Sequence, residues 1–219
     1  MRYPAHHKRH TRERIVAAAS HGFREHGIAG LGVAAVMAEL GLTHGGFYAH
    51  FPDKDALVAA ACRRALSDAW ASLDDYAGLA PDAVVRALSR SYLADANRRR
   101  RGEGCPVAAL GGELARSAPP VRRAVAREVT ARLARLAPLM PGRTPRRRQD
   151  AATLLVSTMV GALVLSRLLP DREGRRSLDV ARRLIGHAAD AAQSAAADRR
   201  TRPTTRPSPH RARQERARS

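Results

Sequence analysis

The sequence predicts an all-α fold, and three observations predict it. Aromatic residues make up only 4% of the chain while Ala, Leu and Val dominate its apolar content, a balance that favours helices over sheets. Apolar residues recur at three- and four-residue intervals, and neither a strand-period segment nor an internal repeat stands out. Gly, Pro, Thr and Asp punctuate these stretches at positions suited to helix ends.

Residues 1–10 contain Arg2, His6, His7, Lys8, Arg9 and His10 and read as a flexible basic arm. Thr11 caps the first predicted helix, in which Ile15, Ala18, Ala19 and Phe23 repeat at helical spacing until Gly27 ends it. A second helix runs from Val33 to Leu40 and a third from Thr43 to His50. Pro52 bars an earlier start to the fourth, which Asp53 caps and which carries Leu57, Ala61, Leu66, Trp70 and Leu73 on to Tyr76. Gly78 to Pro81 interrupt the chain. A fifth helix spans Asp82 to Arg99 and leads into a charged loop ending at Gly104. Pro106 and Pro119-Pro120 open the sixth and seventh, because proline at the first helical position forfeits no helical hydrogen bond. Three prolines within 138–146 make a loop, and two long helices follow, Arg147 to Leu169 and Gly174 to Ala197. Residues 198–219, dominated by Arg, Thr and Pro, read as a disordered tail. The functional boundary falls inside the fourth helix, giving units of residues 11–62 and 63–197.

The stretch from Gly41 to Phe51 is the most informative. Gly41 suits a turn that needs positive φ, Leu42 fills the angle between two helices, and Thr43 caps a short new helix. That helix exposes His44, Gly45, Gly46, Tyr48 and His50, while Phe47 and Phe51 share the opposite face. As a mere core hairpin it would gain nothing from two glycines that weaken it. They make sense where the backbone approaches a partner closely, and a short helix of this kind fits the major groove of DNA.

These residues resemble the DNA-binding domain of the tetracycline-repressor (TetR) family of bacterial transcription regulators. The likeness covers Thr11 to Ala61 and rests on Gly45, Phe47, Tyr48, His50, Phe51, Lys54 and Leu57. It implies nine helices in a 3+6 arrangement, with a helix-turn-helix DNA-binding domain followed by a ligand-binding and dimerisation domain. It also implies that Tyr48, His50 and Lys54 hold phosphates while Thr43, His44, Gly45 and Gly46 face base edges, Thr43 and His44 being the base-reading candidates. One departure stands out. Family members usually have Thr or Ser at the start of the second helix, where this chain has Leu31-Gly32-Val33. The Gly32 amide is then the remaining backbone contact, with Arg2, Lys8, Arg9 and Arg12 available to compensate.

Beyond the first unit, Trp70, Tyr76, Tyr92, Leu110, Leu114, Met140 and Met159 are candidates to line a ligand cavity, and each could equally be ordinary core. Cys105 joins them as the opening of a stretch, Cys105 to Leu110, similar to one near the ligand cavity of some TetR-type regulators. A helix start would activate its thiol, yet no partner residue is apparent, and a packing role is the simpler reading. No buried charge pair announces an ionic ligand, so a small, mostly apolar effector is expected. The last two helices have apolar faces broader than one core requires. Leu155, Met159, Leu163, Val180, Ala181, Leu184, Ile185 and Ala188 are the candidate dimer contacts, matching the family's four-helix interface.

The net charge of +19 invites a polyanion. Nearly all of it is Arg, the only lysines being Lys8 and Lys54, and the tail supplies about a third of the excess. Two cysteines make no disulfide framework, and no apolar signal segment follows the N-terminal charges. His6, His7 and His10 lack the Cys or carboxylate neighbours of a zinc site, so neither metal nor cofactor is expected. The longest apolar run, around Ala162 to Leu165, is too interrupted for a membrane span. The expectation is a cytoplasmic, nucleoid-associated homodimer that binds a palindromic operator as a ligand-responsive repressor, with the helix from Asp53 as lever. The alternatives are a charge-driven non-specific nucleic-acid binder and an enzyme using Cys105, which lacks a nucleophile–base pair.

Overall fold

Helix α1, Ala5–His26, is anchored by one stripe of Ile15, Val16, Ala19 and Phe23, all buried. The chain is described by a computed structural model over residues 5–201; among these, every regular element is helical. α1 ends where Gly27 turns to φ 82° and its N–H closes on the Phe23 carbonyl. It starts earlier than the sequence predicts: residues 5–10 are helical, and Thr11 is buried inside the helix rather than capping it. No Gly or Pro interrupts 5–10, and the buried stripe reaches back to Thr11, so the helix propagates toward the N-terminus. The remainder of the expected arm, including Arg2, lies outside the described residues.

α2 (Val33–Glu39) follows, then a 3-10 helix (His44–Ala49) and α3 (Lys54–Ala69). The Asp53 carboxylate caps α3 by accepting from the Ala56 N–H at 2.7 Å. α3 stops at Ala69, short of Tyr76, and a 3-10 segment (Ala71–Tyr76) takes over, burying Leu73 in the second core. The predicted fifth helix is two helices, α4 (Pro81–Tyr92) and α5 (Asp95–Arg99). The Asn97 side chain explains the break: its amide donates to the Ser91 and Tyr92 carbonyls, which a continuous helix would have satisfied itself. α6 (Pro106–Arg116), α7 (Pro119–Leu136), α8 (Pro145–Leu168) and α9 (Asp171–Thr201) complete the fold, with further 3-10 turns at Arg101–Glu103 and Ala137–Leu139. Helix α9 therefore extends through residues 198–201, and the rest of the expected tail lies outside the described residues.

Two apolar cores result. The first joins α1, α2, the His44–Ala49 turn and α3 around Phe23, Phe47, Phe51, Met37 and Leu57. The second lies among α4, α6, α7, α8 and α9 around Leu93, Leu136, Met140, Leu163 and Leu178. α6 belongs to both: Leu110 and Leu114 complete the first core, while Cys105 and Ala108 enter the second.

Polar clamps join the same regions. Glu113 of α6 accepts from the Ile28 and Ala29 N–H groups, at 2.9 and 3.1 Å, just beyond the end of α1. The Gly102 N–H donates to Glu25 at 2.9 Å, and buried Arg24 donates to the Gly104 carbonyl at 3.1 Å.

α8 is, by length and composition alone, apolar enough to cross a membrane, a reading the sequence had set aside. Here one side of it fills the second core through Ala152, Leu155, Met159 and Leu163.

Candidate DNA-reading surface and internal cavity

The reading surface is built on Thr43. Its hydroxyl accepts from the Gly46 N–H at 3.2 Å, and the Gly46 N–H also reaches the Thr43 carbonyl. The segment His44–Ala49 is a tight 3-10 helix, in keeping with two glycines of low helix propensity. Phe47 and Phe51 stack at 5.6 Å and are almost fully buried, fixing the back of the turn. On the front, Thr43, His44 and Gly45 are exposed, and Tyr48 is 61% exposed with its ring edge-on to His44 at 5.8 Å. A Cβ at Gly45 or Gly32 would meet nothing within 4 Å, so no internal contact demands glycine at either position.

His50 sits half-buried at the end of this turn, and its Nδ1 has no partner. Burial, then the nearby positive charges of Lys8, Arg12 and His7, hold its pKa below the usual histidine value. Arg12 covers the Phe51 ring at 4.5 Å, so the start of α1 forms a basic flank beside the turn. Lys54, matched to a phosphate contact by resemblance, has a second task that the sequence did not reveal. Its Nζ donates to the Ile28 carbonyl at 2.5 Å, tying α3 to the α1–α2 connection. An ammonium has three donors, so this bond leaves others available.

Within the second core, Leu66, Trp70, Tyr92, Cys105, Val107, Val129, Arg132, Leu133, Val156, Met159 and Val160 surround a narrow cavity of about 20 Å³, roughly the space of one water. Of the expected lining, Trp70, Tyr92, Cys105 and Met159 are there. Leu110 and Leu114 are not, because their face of α6 turns into the first core. Met140 and Tyr76 pack in the second core away from the cavity. Arg132 escaped the sequence reading, since an Arg four residues after Glu128 looks like an ordinary surface pair; the two side chains approach to 3.5 Å.

The cavity's polar groups are incompletely satisfied. The Arg132 Nε is buried without a hydrogen-bond partner, and the buried Tyr92 hydroxyl has only the weak Cys105 thiol beside it. Burial, then the adjacent Cys105 thiol, push the Tyr92 pKa upward, so the phenol stays protonated and able to donate. Cys62, buried in the first core, has its thiol pushed up to about 11 by burial and is held inert. A larger hollow of about 540 Å³ on the outer face of α7 is open and lined by two arginines and small side chains, with nothing convergent about it. Among the described residues no group of His, Cys, Asp and Glu could hold a metal ion.

The expected dimer residues divide. Leu155, Met159, Leu163 and Ile185 are buried in the chain's own core, and Val180 and Ala181 are half-buried; only Leu184 and Ala188 are exposed. The correction follows from helical phase. The residues one position over on α8, Leu154, Leu165 and Leu168, project outward and are 69%, 49% and 77% exposed, and Leu184 of α9 is 62% exposed.

A family model for the tetR family of bacterial regulatory proteins matches residues 15–61. Solved structures match over most of the chain. A TetR transcriptional regulator from Chloroflexus aurantiacus J-10-FL is 25% identical with TM-score 0.68, covering 83% of this chain and 95% of that one. A TetR-family regulator from Cytophaga hutchinsonii is 17% identical with TM-score 0.72, covering 84% and 95%. The reduced form of NemR from E. coli is 18% identical with TM-score 0.67, covering 80% and 94%. No curated protein matches the chain by sequence. Residues 15–61 thus match the DNA-binding helix-turn-helix of the tetR family of bacterial regulatory proteins, and the chain as a whole shares the fold of TetR transcription regulators.

Proposed function

We propose that this chain is a TetR-family regulator, a ligand-responsive repressor that binds a palindromic operator as a homodimer in the bacterial cytoplasm. A reading unit of residues 11–62 meets DNA, a unit of residues 63–197 holds the effector and dimerises, and residues beyond it add non-specific affinity through their arginines. Thr43 and His44 read base edges, the exposed Gly45 and half-buried Gly46 let the backbone approach, and Tyr48, His50, Lys54 and the Gly32 amide contact phosphates.

The observation that carries the reading is the position of α6. One of its faces seals the core beneath the reading turn while its first residues line the cavity. α3 has the same double membership, with Leu57 under the turn and Leu66 at the cavity wall. A small, mostly apolar effector that enlarges the cavity must move one or both helices, and the Glu113 clamp passes that movement to the α1–α2 connection. In a dimer this changes the separation of the two reading turns away from the roughly 34–36 Å of successive major grooves, a shift of population between two states. The exposed leucines of α8 and α9 support dimerisation, since large apolar side chains turned outward are costly to leave in water.

Footprinting the purified protein on its genome tests this. Protection of a palindrome by a dimer, released by an effector, is the expected result. Protection spread without sequence preference would favour a charge-driven binder instead.

A further inference from the structure

We propose that the effector is a carboxylate, a small monocarboxylic acid with an apolar body, whose headgroup lodges at the start of α6 between Tyr92 and Arg132. The inference rests on the cavity being the effector site, and adds the chemistry of its occupant.

The cavity wall is apolar except for three residues. Cys105, the N-cap of α6, lies beside the Tyr92 hydroxyl, and Arg132 of α7 lines the same cavity. The buried Tyr92 hydroxyl and Arg132 Nε can both donate, and the Nε can do nothing else. Cys105 makes no side-chain cap bond, so the first-turn amides of this eleven-residue helix are left without a helical partner. A helix start of this kind favours negative charge.

Charges from the neighbouring helices agree. Arg167 of α8 lies close enough to feel Tyr92 and Cys105, and its hydrogen bonds go to the main-chain carbonyls of Asn97, Arg98 and Ala108. Arg24 of α1 feels Cys105 and donates to the Gly104 carbonyl. Against these stand Asp68 and Glu103 near Arg24, Glu25 near Arg167, and Glu128, which reaches Arg132 at only 3.5 Å, a loose pairing that a better-placed carboxylate can replace. Two buried donors on the cavity wall and a helix start select an anionic acceptor. Trp70, Leu66, Leu133 and Val156 then cover the apolar body, and flexible Met159 gives way to admit it.

Trp70 is the only tryptophan in the chain and lines the cavity, so its fluorescence reports occupancy directly. The full-length protein is titrated with octanoate and 4-phenylbutyrate and with the matched alcohols, octanol and 4-phenylbutanol, while operator affinity is followed in parallel. At least one acid is expected to shift Trp70 emission saturably, to bind about tenfold or more tightly than its alcohol, and to weaken operator binding. Arg132→Gln and, as a conservative second variant, Tyr92→Phe are each expected to shrink that preference several-fold. Alcohols that bind as well as their acids and release the operator overturn the carboxylate and leave the cavity an effector site. An acid that binds selectively without moving operator affinity upholds the carboxylate and overturns the effector reading. Silence from all four compounds overturns both.

Discussion

The two cores of this chain are built from different materials. All three phenylalanines, Phe23, Phe47 and Phe51, lie in the first, nearly fully buried. The second contains none; Leu, Val, Ala and Met make up most of it, Trp70, Tyr76 and Tyr92 pack at its side, and it holds a cavity with polar groups on its wall. Rings have few rotamers and bury large area, which suits a turn that must present Thr43 and His44 in one geometry. Short aliphatic chains and methionine repack at lower cost, which suits a volume that must change. Rigid presentation and adaptable volume are thus separated, and α3 and α6 run through both.

Breaking the rigid side should have the largest effect. Phe47→Ala removes a ring that is 1% exposed beneath the reading turn. A loss of about 3–5 kcal/mol is expected, with operator binding abolished; chemical denaturation measures the first and a mobility shift the second. A loss below about 1 kcal/mol would show that the turn does not depend on this packing.

Next in size is the outward face of the adaptable side. Leu184→Glu places a charge at a position already 62% exposed, so folding should survive. If α8 and α9 meet a second copy, two such charges come near the symmetry axis. Monomers in light scattering and at least a hundredfold weaker operator binding are expected. A variant that stays dimeric refutes this face as the interface.

The link between the two cores is tested by Glu113→Ala, which strips the Ile28 and Ala29 amides of their acceptor. A stability loss of about 1–3 kcal/mol is expected, and effector binding should release the operator less completely. Full release by ligand in this variant would place the coupling in α3 alone. His44→Ala should cost about 1–3 kcal/mol at a single base pair of each half-site; equal loss on scrambled DNA would make His44 a backbone contact.

The smallest effect concerns His50. Its folded pKa lies below the unfolded value, so the unfolded chain binds more protons just below pH 6.5. Its contribution to stability is complete above that pH and falls as pH drops toward the folded value. His50→Gln should flatten the pH dependence of melting in that window, and an unchanged slope would remove His50 as its source.

Local pattern was sufficient for much of this. Gly27, Gly41, Thr43 and Asp53 act through neighbours within a few residues, so their caps and turns follow from residue type and spacing. The same holds for the burial of Phe47 behind an exposed His44 and Tyr48, because a four-residue interval places side chains on one helical face. The break at Leu93–Ala94 was not legible, since it depends on whether Asn97 turns back to two carbonyls or faces solvent.

What the sequence determined by itself is the helical class, the reading turn and its likeness to one family's DNA-binding domain, all carried by interactions a few residues long. What only the tertiary structure decided is which side of each helix faces inward. That choice moved Leu110 and Leu114 from the cavity to the first core, turned Leu155 and Leu163 into the chain's own interior, and brought Glu113 to residues 84 and 85 positions away. On Ala-rich helices with apolar residues on several sides, periodicity leaves more than one phase open. The choice among them is made by packing against partners distant in sequence, which no local pattern encodes.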